Sequence, residues 1–91
     1  MSEREIQRQV VTLLRKAGWV VTVFSDKRRA IASGVPDLYA MHPAKRRDCW
    51  VEVKAPGGKL RPEQVIFRDV CAKAGVEWWL VNDVQTVREW A

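Results

Sequence analysis

Glycine and proline punctuation sets the first limit on what this chain can fold into. Gly18, Gly34-Val35-Pro36, Pro56-Gly57-Gly58, Pro62 and Gly75 cut its 91 residues into pieces each long enough for one helix or one strand. From Ser2 to Ala17, apolar Ile6, Val10, Leu13, Leu14 and Ala17 recur at helical spacing, and Gly18 stands where a helix commonly stops. Trp19 to Phe24 is β-branched and aromatic, which predicts a strand, and the basic stretch Ser25 to Arg29 predicts a loop. Asp37 to Met41 and Cys49 to Lys54 read as two further strands, paired antiparallel across a basic turn from His42 to Asp48. Pro62 suits the first position of a helix running to Ala74, and Gly75 ends it. Val76 to Val81 is a fourth strand, and Asp83 can cap a last helix carrying Val84, Val87 and Trp90. The order α-β-β-β-α-β-α has no repeat, low-complexity tract or linker, so one α/β domain over residues 1–91 is expected.

A domain this small buries a modest fraction of its surface, and association with a second copy would help it. With 47% hydrophobic and 30% charged residues, the chain is neither disordered nor membrane-embedded in composition. No apolar run approaches the roughly 20 residues that span a bilayer, and Met1 to Glu5 opens with charges, so an intracellular protein is expected. Cys49 and Cys71 stand far apart in apolar stretches, which fits buried free thiols better than a zinc cluster or a disulfide. A net charge of +5 favours a polyanionic partner, although many basic domains bind no nucleic acid.

Alternation along the third strand puts Trp50, Glu52 and Lys54 on one face and Val51 and Val53 on the other. Alone, Glu52 and Lys54 read first as an ordinary same-face ion pair on a solvated surface. Asp37 changes the balance: the turn Gly34-Val35-Pro36 can deliver its carboxylate to the same edge. Two carboxylates and a strand carbonyl make a hard, oxygen-rich site suited to Mg²⁺ or Mn²⁺, and an adjacent ammonium can hold a water and offset phosphate charge. The first helix offers another acid. Ser2 and Glu5 match a capping box, whereas Glu3 falls within roughly 40° of the centre of the apolar stripe. Glu3 is either a further ligand or a residue that favours the helix dipole.

Glu3, Gly34-Val35-Pro36-Asp37-Leu38, Val51-Glu52-Val53-Lys54-Ala55-Pro56-Gly57-Gly58-Lys59-Leu60 and Pro62-Glu63-Gln64 together resemble the VRR-NUC branch of the PD-(D/E)-x-K nuclease superfamily. The likeness covers nearly the whole chain. It implies a restriction-endonuclease-like core, a mixed sheet flanked by helices, and metal-dependent hydrolysis of DNA phosphodiester bonds. By position, it implies that Asp37, Glu52, the Val53 carbonyl and, directly or through water, Glu3 ligate Mg²⁺ (or Mn²⁺). Lys54 would position or activate the attacking water. Gln64 would face the site, or else be an ordinary first-turn residue at the flank of an Ile66/Phe67/Val70/Ala74 stripe. One departure is Arg61, which precedes Pro62 where a capping Ser, Thr or Asp is expected.

Basic residues cluster at Lys27-Arg28-Arg29, Lys45-Arg46-Arg47 and Lys59/Arg61. The first and third adjoin segments that flank the expected site and are assigned to DNA phosphates; the middle one falls in a turn and is left out. Trp78, Trp79 and Trp90 are read as core or interface, and His42 is given no catalytic role. The resulting expectation is a stand-alone endonuclease working as a homodimer, by fold-level analogy on branched or Holliday-junction DNA, in a bacterial or phage-infected cell. Its rivals are a DNA-binding module of the same fold that does not cut, and an interaction protein whose acids form surface ion pairs.

Overall fold

The computed structural model describes residues 1–24 and 34–91, and in that range the expected element order holds: α1 (Glu3–Lys16), β1 (Val20–Val23), β2 (Leu38–His42), β3 (Arg47–Val53), α2 (Pro62–Ala74), β4 (Glu77–Val81) and α3 (Val84–Trp90). The strands form one sheet in the order β1-β2-β3-β4. The first two pairings are antiparallel and the last is parallel, because α2 carries the chain back across the sheet before β4 begins. The result is a mixed sheet with α1 and α3 on one face and α2 on the other.

Side-chain alternation decides which face is dry. Val21, Leu38, Ala40, Cys49, Val51, Val53 and Val81 point towards α1 and α3, where Ile6, Val10, Leu14 and Val87 close the core. Each such aliphatic side chain contributes about 1.5–3 kcal/mol by leaving water. On the other face Trp50 contacts the Tyr39, Phe24 and Phe67 rings, the last being the contact through which α2 sits on the sheet. Both cysteines are free and buried. Among the described residues no helix is long and apolar enough to cross a membrane.

Local rules account for the helix ends. Ser2 accepts from Glu5 N–H at 3.2 Å, and Asp83 accepts from Gln85 N–H at 3.0 Å. Gly75 closes α2 at φ 74°, the left-handed region that favours glycine. Two strands begin or end differently from expectation: β2 runs on to His42, and β3 starts at Arg47, so the turn between them is only residues 43–46. Arg47 is thereby a strand residue. It forks onto Glu77 (2.8 and 3.1 Å), donates to the Trp90 carbonyl, and stacks over the Trp19 and Trp90 rings. His42 pins the same end. Its Nδ1 accepts from Lys45 N–H, so the ring proton is on Nε2, which donates to the Ala17 carbonyl at 2.8 Å.

Candidate active site

At the opposite end of the sheet, where β3 and β4 finish, the chain does something that regular secondary structure does not require. Gly34 holds φ 88°, and a Cβ there would lie 2.4 Å from the Glu63 backbone oxygen. Only glycine lets this turn press against the first turn of α2. Pro36 and then Asp37 follow. The Asp37 carbonyl accepts from Phe24 N–H at 2.8 Å, which continues the β1–β2 pairing by one step.

The β2–β3 pairing stops at this point. Its last register pair is Leu38↔Val51, so continuing it would set Pro36 against Val53. The Val53 N–H is taken instead by the Asp37 carboxylate, at 2.9 Å. In an antiparallel ladder a residue directs its N–H and C=O to the same neighbour. The Val53 carbonyl therefore faces the Asp37 side, where proline has no N–H to give it.

Beside Asp37 lies Glu52, and the two carboxylates adjoin one another while only 6% and 2% exposed. Gln64 Nε2 donates to Glu52 Oε2 at 3.3 Å, and Lys54 Nζ stands 3.5 Å from the same oxygen. Burial, and next the negative charge of Asp37, push the Glu52 carboxyl up to about 8; the Lys54 ammonium offsets only part of this. Two carboxylates side by side in a dry place are costly when both are ionised, unless a cation shares their charge. Oxygen donors of this type suit a hard divalent ion, so the residues present fit Mg²⁺ or Mn²⁺.

Gln64 has two tasks. Its Oε1 accepts from Arg61 N–H at 2.8 Å, the one half of a capping box that does not need an acceptor on the Arg61 side chain, while its Nε2 serves Glu52. This corrects the expected roll of α2. Gln64 is 4% exposed and faces inward with Phe67 and Cys71, whereas Ile66 and Val70 are 65% and 59% exposed. The Trp50–Phe67 contact and the polar tether on Glu52 hold the helix in that orientation.

Glu3 is half-buried at the first residue of α1. Among the described residues no three acidic, His or Cys side chains gather closely enough to hold a metal, so Glu3 stands apart from the Asp37–Glu52 pair. Lys59 and Arg61 are exposed just before α2, and the Arg61 guanidinium pairs with Glu63 at 3.2 Å. Lys27, Arg28 and Arg29 lie outside the described residues. Sequence reasoning missed the work of Gly34 and Pro36 beyond making a turn. It also missed the cap made by Gln64, for which the signal was an N-cap position holding an arginine.

Comparison with known proteins bears on the family and the fold. The family model described as VRR-NUC domain matches residues 1–84. A solved structure titled VRR-NUC domain superposes with a TM-score of 0.79 over 98% of this chain and 94% of its own, at 22% identity, a likeness of fold. No curated protein matches.

Proposed function

This chain belongs to the VRR-NUC domain family, a family of nuclease domains, and from that membership we infer that it is a divalent-metal-dependent endonuclease acting on DNA as a single domain. The observation that carries the reading is the buried Asp37–Glu52 pair with Lys54 3.5 Å away, at the point where the ladder leaves the Val53 carbonyl free of a strand donor. Asp37, Glu52 and the Val53 carbonyl would hold Mg²⁺ or Mn²⁺, with Glu3 reaching it through water. When bound, such an ion polarises the scissile phosphate and lowers the pKa of an attacking water.

The protein's own groups do the rest. Lys54 orients the water and offsets charge developing on the phosphate. Gln64 fixes the Glu52 carboxylate so that its oxygens keep one direction. Water adds to phosphorus and the 3′ oxygen leaves, giving a 3′ hydroxyl and a 5′ phosphate. Lys59, Arg61 and the Lys27-Arg28-Arg29 group contact flanking phosphates. DNA as substrate makes the inside of a cell the expected place of work. A homodimer is supported by the exposed apolar side chains Ile66 and Val70 on α2 and Leu80 on β4, which a second copy would cover. Two sites in one dimer suit branched or junction DNA.

The test is cleavage of labelled four-way-junction, flap, duplex and single-stranded DNA with Mg²⁺, Mn²⁺ or EDTA, by wild type, Asp37→Ala and Lys54→Ala. Metal-dependent nicking that falls roughly 10²–10⁴-fold in the variants, with DNA binding kept, supports the nuclease. Binding of every substrate with cleavage of none would favour the non-cutting module of the same fold.

A further inference from the structure

A second basic feature lies away from the carboxylate pair, in the groove between α1 and α3. The groove encloses about 420 Å³ and is lined by Arg8, Lys16 and Arg88, with Gln9 and Thr12 beside them and Leu13 and Val84 as its apolar floor. Arg8, Thr12 and Lys16 are four residues apart, so they form one stripe along α1, rising about 6 Å per step. Arg88 faces that stripe from α3. No carboxylate lines the groove, and the acid nearest on that side of α1, Glu5, stands one turn short of it. Among the described residues none of the three cations makes an ion pair.

Three unneutralised cations around one concavity repel each other, and an anion laid along them removes that cost. The spread decides which anion. Arg8 and Lys16 are about 12 Å apart along the helix axis, and all three cations are exposed, so no closed cradle for one compact phosphate exists. An extended chain of phosphates matches such a line. The direction matters as well. β4 delivers the chain to α3 at the sheet end holding Val53 and Val81, while the Ala17 carbonyl and Ala91 lie at the opposite end, by His42 and Trp19. Both helices therefore run away from the Asp37–Glu52 end, and the groove between them leads along the outside of the layer opposite α2.

We propose that the α1–α3 groove binds the sugar-phosphate backbone of DNA several nucleotides from the scissile phosphate, through Arg8, Lys16 and Arg88. This rests on the nuclease reading. DNA held there leaves the site round the edge of the sheet, as a bent duplex or as a second arm of a branched substrate. The groove is thus a device for choosing long or branched substrates over short ones.

The test compares wild type, Arg8→Gln/Arg88→Gln and a charge control, Lys73→Gln on α2. Binding to fluorescein-labelled duplexes of about one and about four helical turns is followed by anisotropy with Ca²⁺ over a range of salt, and cleavage of the same duplexes is measured with Mg²⁺. The double variant is expected to bind the long duplex roughly tenfold more weakly, to lose about 2 from the slope of log K against log salt, and to cut the short duplex at the wild-type rate. Lys73→Gln is expected to leave the slope unchanged. A double variant that matches wild type in affinity and slope on the long duplex overturns the groove while leaving the nuclease reading intact. A wild type that neither binds nor cuts DNA overturns both. Thermal unfolding of the double variant at the wild-type temperature ties any loss to contact and not to folding.

Discussion

Glu52→Gln is expected to abolish cleavage and at the same time make the metal-free protein more stable at pH 8. The substitution keeps the shape. A glutamine carbonyl at 52 still accepts from Gln64 and from Lys54, and its amide can donate to the Asp37 carboxylate, so no buried partner is orphaned. What it removes is charge. Burial and the neighbouring Asp37 raise the Glu52 carboxyl from 4.5 to about 8, so between those values the folded protein holds a proton that the unfolded chain has lost. Stability then falls as pH rises across that window, at up to about 1.4 kcal/mol per pH unit. Integrated to pH 8 this has a ceiling of ~5 kcal/mol, and recovery of even 1 kcal/mol moves the midpoint of a domain this size by about 4–8 °C. The assay is thermal unfolding in EDTA at pH 5 and pH 8. Wild type should lose stability between the two, and Glu52→Gln should keep it, the variants converging at pH 5. Equal pH dependence in both proteins, or a variant less stable than wild type at pH 8, would refute the argument that ionised Glu52 is the cost.

Other substitutions probe the frame round that pair. Gly34→Ala places a Cβ 2.4 Å from the Glu63 oxygen at φ 88°, so a loss of about 2 kcal/mol or more in urea unfolding and a fall in cleavage are expected as α2 is pushed off; wild-type values in both would count against the seat. Gln64→Ala should cost about 1–2 kcal/mol, because Arg61 N–H loses its acceptor, whereas Gln64→Glu keeps the cap but adds a carboxylate beside Glu52 and should destabilise the metal-free protein more at pH 8 than at pH 5; chemical unfolding at both pH values separates them. His42→Ala should lose about 2–3 kcal/mol without changing the metal dependence of cleavage, since it leaves the Ala17 carbonyl and Lys45 N–H without their partner and removes a ring packed on Trp19 at the far end; loss of metal dependence would show that the two ends are not separate.

Which parts were legible in the sequence follows from how local each determinant is. Helix ends were written in single residues, Ser2, Pro62, Gly75 and Asp83, and the structure honours each. The alternation from Cys49 to Lys54 likewise put Glu52 and Lys54 on one face, with Asp37 on the neighbouring strand end. The roll of α2 was not legible. Its apolar residues Ile66, Val70 and Ala74 make a stripe that suggests burial, yet Gln64, Phe67 and Cys71 face in, because two contacts from distant positions, Trp50 and Glu52, set the angle. Arg47 was unreadable for the same reason. A basic run in a turn looks solvated until Glu77, thirty residues on, is brought beside it by parallel pairing.

Departures from local rules concentrate where the carboxylates are. Pro36 withholds a donor from the sheet, an Asp37 side chain replaces a strand carbonyl as acceptor for Val53 N–H, Arg61 occupies an N-cap that it cannot cap, and Glu52 is buried against a like charge. Each is unfavourable or neutral as structure, and three of them, at Pro36, Asp37 and Glu52, leave the Val53 carbonyl and two carboxylates near one another. At the far end the corresponding groups are paired: Arg47 with Glu77, His42 with Ala17 and Lys45. Arg47 accordingly holds Glu77 below the usual carboxylate range, the reverse of what happens to Glu52. The end that carries the two carboxylates is where most of the described departures gather, as is expected of a functional site.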